Sequence, residues 1–135
     1  MIVIDASNLI LGRMATFVAK QALLGNDVRI INAEKAIISG KRATLLKDFR
    51  QNRQRGTPAK GPFIPKMPDR YVRRVVRGML PYKQAKGTEA FKRVLCYKGV
   101  PEEFKEVKSV ELPQCKASKL NTLKVVTVAD ALKFN

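Results

Sequence analysis

Residues 2–31 read IVIDASNLILGRMATFVAKQALLGNDVRII, and the periodicity of this stretch decides the fold class. Ile2, Val3 and Ile4 form a short β-branched apolar run ending at Asp5, which suits a strand buried on both faces. Ser7 or Asn8 can cap a helix through RMATFVAKQALL, where Met14, Phe17, Val18 and Leu24 recur at helical spacing with Ala15, Ala19 and Ala22 between them. Gly25-Asn26-Asp27 stops that helix, and Val28 to Ile31 begins a second strand. Strand, helix, strand in this order predicts a parallel pair joined by a right-handed crossover. Ala36-Ile37-Ile38 reads as a third short strand, and Ser39 or Gly40 opens a polar helix, KRATLLKDFRQNRQR.

Working outward, residues 56–68, GTPAKGPFIPKMP, hold four prolines and two glycines, so they form neither helix nor central strand. They read either as an extended basic arm that orders on a partner, through Lys60, Lys66, Phe63 and Ile64, or as a mobile surface loop. RYVRRVVRGML (residues 70–80) follows as an amphipathic helix. Arg70, Arg73, Arg74 and Arg77 lie on one side, and Tyr71, Val72, Val75, Val76, Met79 and Leu80 on the other. Pro81 ends it, and TEAFKRVLCYKG predicts a further helix with Phe91, Val94 and Leu95 as its stripe and Gly99 past its end. Residues 101–116 read as solvated surface with one extended piece near 107–112. Leu123 to Val128 reads as a strand and Ala129 to Phe134 as a short helix.

The 135 residues make one domain, and 45% hydrophobic content predicts a folded one. Twenty-seven Lys and Arg against 11 Asp and Glu give a net charge of +16, a field that attracts polyanions. The excess is concentrated: Lys41 to Lys86 contains 14 bases and two acids, Asp48 and Asp69, a net +12 against +4 for all the rest. No secretory signal or membrane-length apolar run is visible, and Cys96 and Cys115 lack metal-knuckle or disulfide spacing. These features predict a cytoplasmic protein with two free thiols, Cys96 in the core of a helix and Cys115 at the surface.

Catalysis finds little support. The chain has no histidine, which removes the commonest general base and every imidazole-dependent triad. The strand–turn–helix from Asp5 to Gly12 is the best enzyme-like feature, that of a small α/β nucleotide-binding enzyme. It has no glycine before Gly12 and no Walker lysine. Asp5 is better read as capping its own turn or pairing with Arg13, and Gly12 as permitting a close helix approach. The arginine helix carries two like-charge i, i+4 pairs, Arg70 with Arg74 and Arg73 with Arg77, which is unfavourable unless outside anions meet them. Its stripe is mostly Val, as in a domain core and unlike a membrane-surface helix, and arginine suits forked phosphate recognition. DNA-reading motifs and the aromatic pattern of an RNA recognition motif are missing, which leaves shape recognition of structured RNA.

Val76-Arg77-Gly78-Met79-Leu80-Pro81, followed by Gly87, Phe91, Leu95, Tyr97 and Gly99, resembles the large-subunit ribosomal protein thirteen family in its shorter, archaeal form. Asp5-Ala6 with Leu11-Gly12-Arg13 and Ala15, Asn32-Ala33-Glu34-Lys35 with Ser39-Gly40, and Gly61-Pro62-Phe63 with Pro68 resemble the same family up to about residue 105. Tyr82 stands where relatives often carry histidine. The resemblance implies a three-layer α/β/α domain around a mainly parallel four-stranded sheet, with a long basic Pro/Gly-rich loop over about residues 50–69. It implies a non-enzymatic, cofactor-free and metal-free monomer within the large ribosomal subunit. Its partners would be large-subunit (23S-type) ribosomal RNA and neighbouring ribosomal proteins, with no membrane and no small-molecule substrate. Phosphate and sugar contacts are expected from Arg50, Arg53, Arg55, Lys60 and Lys66 on the loop side and from Arg70, Arg73, Arg74, Arg77, Lys83 and Lys86 around the helix. Arg13 and Lys41 are expected to add to them.

Overall fold

The computed structural model describes residues 1–117 and 126–133. Strand β1 (Ile2–Asp5) leads through α1 (Leu11–Leu23) to β2 (Val28–Ile31), and the two strands pair in parallel with Ile2 opposite Val28 and Asp5 opposite Ile31. This is the predicted crossover unit. After β3 (Ile37–Ile38) come three helices: α2 (Arg42–Gln54), α3 (Pro68–Gly78) and α4 (Ala85–Lys92). Strand β4 (Val94–Cys96) then returns to the parallel sheet, giving the order β1-β2-β4.

The α/β class with a parallel sheet stands, but the strand inventory differs from expectation. Among the described residues the parallel sheet has three strands. The third expected strand, β3, pairs antiparallel with β5 (Val126–Thr127), immediately before α5 (Val128–Lys133). Most of the expected strand 123–128, and Phe134 of the expected last helix, lie outside the described residues. The helix expected from Thr88 up to the residue before Gly99 stops at Lys92, and its apolar end is β4. Val94 and Cys96 there reach the face that β2 offers through Val28 and Ile30, a pairing that outweighs helical periodicity in a short apolar run.

One face of the sheet carries the main core. Ile4, Val28, Ile30 and Val94 pack beneath Met14, Ala15, Val18 and Ala22 of α1, Val72 and Val76 of α3, and Ala90 of α4, all fully buried. The small residues of α1 let α3 and α4 lie close against it. The other face is covered by a smaller cluster of Val3, Ile31 and Phe104 with Tyr97 beside it. Residues 101–117 lie along β1 and the turn after it: Val110 N–H donates to the Val3 carbonyl, Ile10 N–H to Cys115, and Ala117 N–H to Asn8. Residues near 107–112 thus touch the sheet without forming a strand. The same wrapping buries Cys115, 2% exposed, while Cys96 on β4 is only partly covered. Cys115 is thus buried where a surface position was expected, while Cys96 packs against the main core as expected, but from a strand and not a helix.

The turn between β1 and α1 also corrects the expected cap. Residues 6–10 are taken up by a turn and by bridges of Leu9 with Lys116 and Ile10 with Ile37. Consequently the helix begins only at Leu11, with no side-chain cap, and Asn8 adopts a left-handed φ of 59°. Gly12 is exposed, and a Cβ there would meet nothing within 4 Å, so it does not serve a close approach. Gly87 does. A Cβ on it would lie 2.1 Å from the Pro81 carbonyl oxygen, so only glycine lets α4 sit on the turn that ends α3.

Candidate nucleic-acid interface

Helix α3 starts where Pro68 can supply a helical φ without a needed N–H, and Asp69 places a carboxylate in its first, electropositive turn. Val72 and Val76 fix its rotation by burying completely, while Tyr71 packs tilted on Phe49 of α2 with ring centroids 5.5 Å apart. The arginine side is thereby turned outward as a fixed row. Burial pushes the Tyr71 hydroxyl above its usual pKa, and the nearby Arg74 charge opposes that rise.

Three of the four arginines in the row have their own support. The Arg73 guanidinium lies 4.6 Å from the centroid of the Phe91 ring, and Arg77 lies 5.3 Å from that of Tyr82, both within reach of a cation–π attraction. Arg74 Nη1 donates to the Phe63 carbonyl at 2.9 Å, tying the loop to the helix. Arg70 and Arg77 are exposed; Arg73 and Arg74 are half-buried. The ion pairs of Lys105 with Glu102, Lys116 with Glu111 and Lys133 with Asp130 lie elsewhere. Among the described residues no carboxylate pairs with any of the four α3 arginines, so their mutual repulsion is left to outside anions or solvent.

The loop before α3 carries no helix or strand but contains one defined turn. Residues 57–61 close into a tight turn in which the Lys60 and Gly61 N–H groups donate to the Thr57 carbonyl. Gly56, at φ 76°, passes so close to Gly61 that a Cβ on it would lie 2.8 Å from the Gly61 Cα. Lys60 within this turn, Lys66 beyond it and Arg55, just past the end of α2, are all exposed. Arg53 and Arg55 line a cleft with Pro58, Pro62 and Phe63, and Arg55 shares a second cleft with Arg74 and Tyr71. Side chains from α2, the loop and α3 thus form one continuous basic surface. Arg50 and Lys41 are exposed on and just before α2.

Three expected residues sit apart from that surface. Arg13 is exposed on α1 and donates to the Gln114 carbonyl at 3.3 Å. Lys83 is exposed on the turn after α3. Lys86 borders an apolar groove with Lys20, Leu23, Leu24 and Met79. Lys20 was not foreseen, because an isolated base in a mostly apolar stretch of helix carries no local signal. Nor were Phe91 and Tyr82 foreseen as platforms for arginine, since only the folded turn at Pro81 brings them to α3.

The enzyme-like turn is occupied by structural bonds. Asp5 Oδ1 accepts from the Ser7 N–H and hydroxyl, at 2.9 and 2.7 Å, and from the Asn32 side-chain amide at 3.0 Å. Burial raises the Asp5 pKa, but those three hydrogen bonds and the Lys35 charge outweigh it and hold the carboxyl below its ordinary value of 3.8. Arg13 bonds elsewhere, so Asp5 caps its own turn. The Cys96 thiol is pushed up to about 12, by burial first, with Arg73 opposing and Asp69 reinforcing the shift, so it stays protonated and unreactive at neutral pH.

Comparison with known proteins agrees with this basic, non-catalytic surface. Residues 1–103 match the family profile described as Ribosomal protein L13. The chain is 47% identical to large ribosomal subunit protein uL13 of Methanosarcina barkeri over 131 residues, covering 96% of this chain and 94% of the relative. The uL13 of Methanopyrus kandleri is likewise 47% identical, over 95% of this chain and 82% of its own length. That of Archaeoglobus fulgidus is 38% identical over 98% and 85%. With a family profile matched over residues 1–103 and relatives that are similar over nearly its whole length, the chain belongs to the ribosomal protein L13 family, a family of large-subunit ribosomal proteins and not of enzymes.

Proposed function

We propose that the chain binds large-subunit ribosomal RNA through phosphate and sugar contacts and so supports assembly of the large subunit, where it works as a single copy among neighbouring ribosomal proteins in the cytoplasm. The observation that carries this reading is the row of four α3 arginines, three of them propped on neighbouring groups and none with a carboxylate partner among the described residues. Arg50, Arg53, Arg55, Lys60 and Lys66 extend the row on the α2 and loop side. Lys83, Lys86, Lys41 and Arg13 are peripheral contacts. A surface so arranged recognises the spacing of phosphates on folded RNA and needs no base edge, cofactor or metal.

The test is binding of the purified chain to 23S-type ribosomal RNA over a salt series, followed by crosslinking and peptide mapping. If six to ten phosphates are contacted, affinity falls by roughly 10³ to 10⁵ between 50 and 200 mM salt, and crosslinked peptides fall within residues 41–86. Tight binding or turnover of a mononucleotide without salt-sensitive RNA binding overturns the proposal. Crosslinks confined to other residues place the interface on another face.

A further inference from the structure

At the centre of the basic surface stands a ring that phosphate contacts leave unexplained. Phe63 is 74% exposed, and a phenylalanine left in water forgoes most of the stabilisation that burial brings. Its backbone is held on both sides. Arg74 bonds its carbonyl, and Pro62 and Pro65 restrict the chain next to it. Beside the ring lies a cleft of about 240 Å³ lined by Phe63, Arg70, Arg73, Arg74, Arg77 and Phe91. Three of these arginines are engaged within the protein, Arg73 over Phe91, Arg74 on the Phe63 carbonyl and Arg77 against Tyr82. Arg70 and Arg77 remain exposed at either end, seven residues apart on α3 and hence about 10.5 Å along its axis. The cleft falls below the roughly 300–1,000 Å³ that encloses a whole small-molecule ligand, a size that suits one unit of a polymer.

We infer that this cleft seats one unstacked nucleotide of the bound RNA, its base on the Phe63 ring and its flanking phosphates on Arg70 and Arg77. The inference rests on the RNA-binding reading above and specifies what part of the RNA meets α3. Bases inside a duplex cannot reach a protein ring, whereas those of loops, bulges and single strands stack readily on aromatic side chains. Arginines at the two ends of a cleft with one exposed aromatic ring match an extended strand with one base turned inward. Because stacking accepts any base, the cleft selects for an unpaired nucleotide more than for a particular one.

The experiment compares wild-type chain with Phe63→Leu, Phe63→Tyr and the double variant Arg70→Ala, Arg77→Ala, using 23S-type ribosomal RNA in a salt series and a short oligouridylate as competitor. Phe63→Leu, an exposed change that leaves the melting temperature in place, weakens ribosomal RNA binding about tenfold. Its salt slope matches wild type, since a stacked base releases no counterions. Phe63→Tyr binds as wild type. The arginine double variant lowers the slope by about 1.4, at roughly 0.7 per phosphate of a single strand. Oligouridylate competes for wild type and not for Phe63→Leu. Unchanged affinity in Phe63→Leu, with salt-sensitive binding intact, overturns the inference while leaving the proposed function standing. Absence of salt-sensitive binding in the wild type removes the proposed function itself.

Discussion

Helices α2 and α3 each carry four bases and one acid, yet the fold treats them differently. Helix α3 buries Val72 and Val76 completely beneath the sheet, whereas α2 has no buried residue and meets α3 through Phe49 on Tyr71. Equal charge therefore does not mean equal definition. The α3 arginines inherit the rigidity of the core and are further propped on Phe91, Tyr82 and the Phe63 carbonyl. The bases of α2 stand on a helix that opens at lower free energy than the core does. One helix presents a template; the other supplies charge around it.

Substitutions can break this contrast, beginning with the turn that ends α3. Gly87→Ala forces α4 away from the Pro81 carbonyl and costs at least about 3 kcal/mol in urea denaturation, because backbone and not a side-chain tip lies in the way. Wild-type stability in that variant would show that the turn yields freely. Next, Val76→Ala lowers global stability by about 2 kcal/mol through the cavity it leaves, whereas Phe49→Ala lowers it by less than about 1 kcal/mol. The latter instead speeds amide exchange selectively in α2, measured by hydrogen exchange. Equal global losses from the two would mean that α2 belongs to the core after all.

The smallest effect lies at Asp5, which belongs to neither helix, and serves as a control. Its folded-state pKa is depressed, so the carboxylate stabilises the fold above its ordinary value of 3.8, and that contribution is lost as pH falls through the lower folded value. Asp5→Asn is therefore less stable than wild type at neutral pH, and the gap narrows below about pH 4. Thermal melts between pH 2 and 7 check this, and a gap that widens toward acid would refute the hydrogen-bond account.

What could be read from the sequence divides along the same lines. The β1-α1-β2 unit was legible because its periodicities and stop signals are local, and the outward row of Arg70, Arg73, Arg74 and Arg77 follows from helical spacing alone. Features set by distant parts of the chain were not legible. The end of α4 is decided by pairing of Val94 to Cys96 with β2, the burial of Cys115 by its carbonyl meeting Ile10, and the antiparallel partner of β3 by β5 nearly 90 residues on. The surface charge was visible as composition. The platforms that aim it were not, since Phe91 and Tyr82 become neighbours of α3 only after the turn at Pro81 closes around Gly87.

The wrapping of residues 101–117 along β1 also has a meaning in time. A ribosome delivers β1 and α1 first, but the parallel sheet cannot be completed until β4 emerges some 60 residues after β2. The outer edge of β1 and the turn after it stay open longer still, until Val110 arrives to bond Val3, and Cys115 and Ala117 to bond Ile10 and Asn8. For most of its synthesis, then, the nascent chain carries an apolar strand with unsatisfied backbone groups, a known hazard for mispairing with other chains. Its strong positive charge keeps such copies apart during that interval, so the same lysines and arginines guard the chain before it is finished.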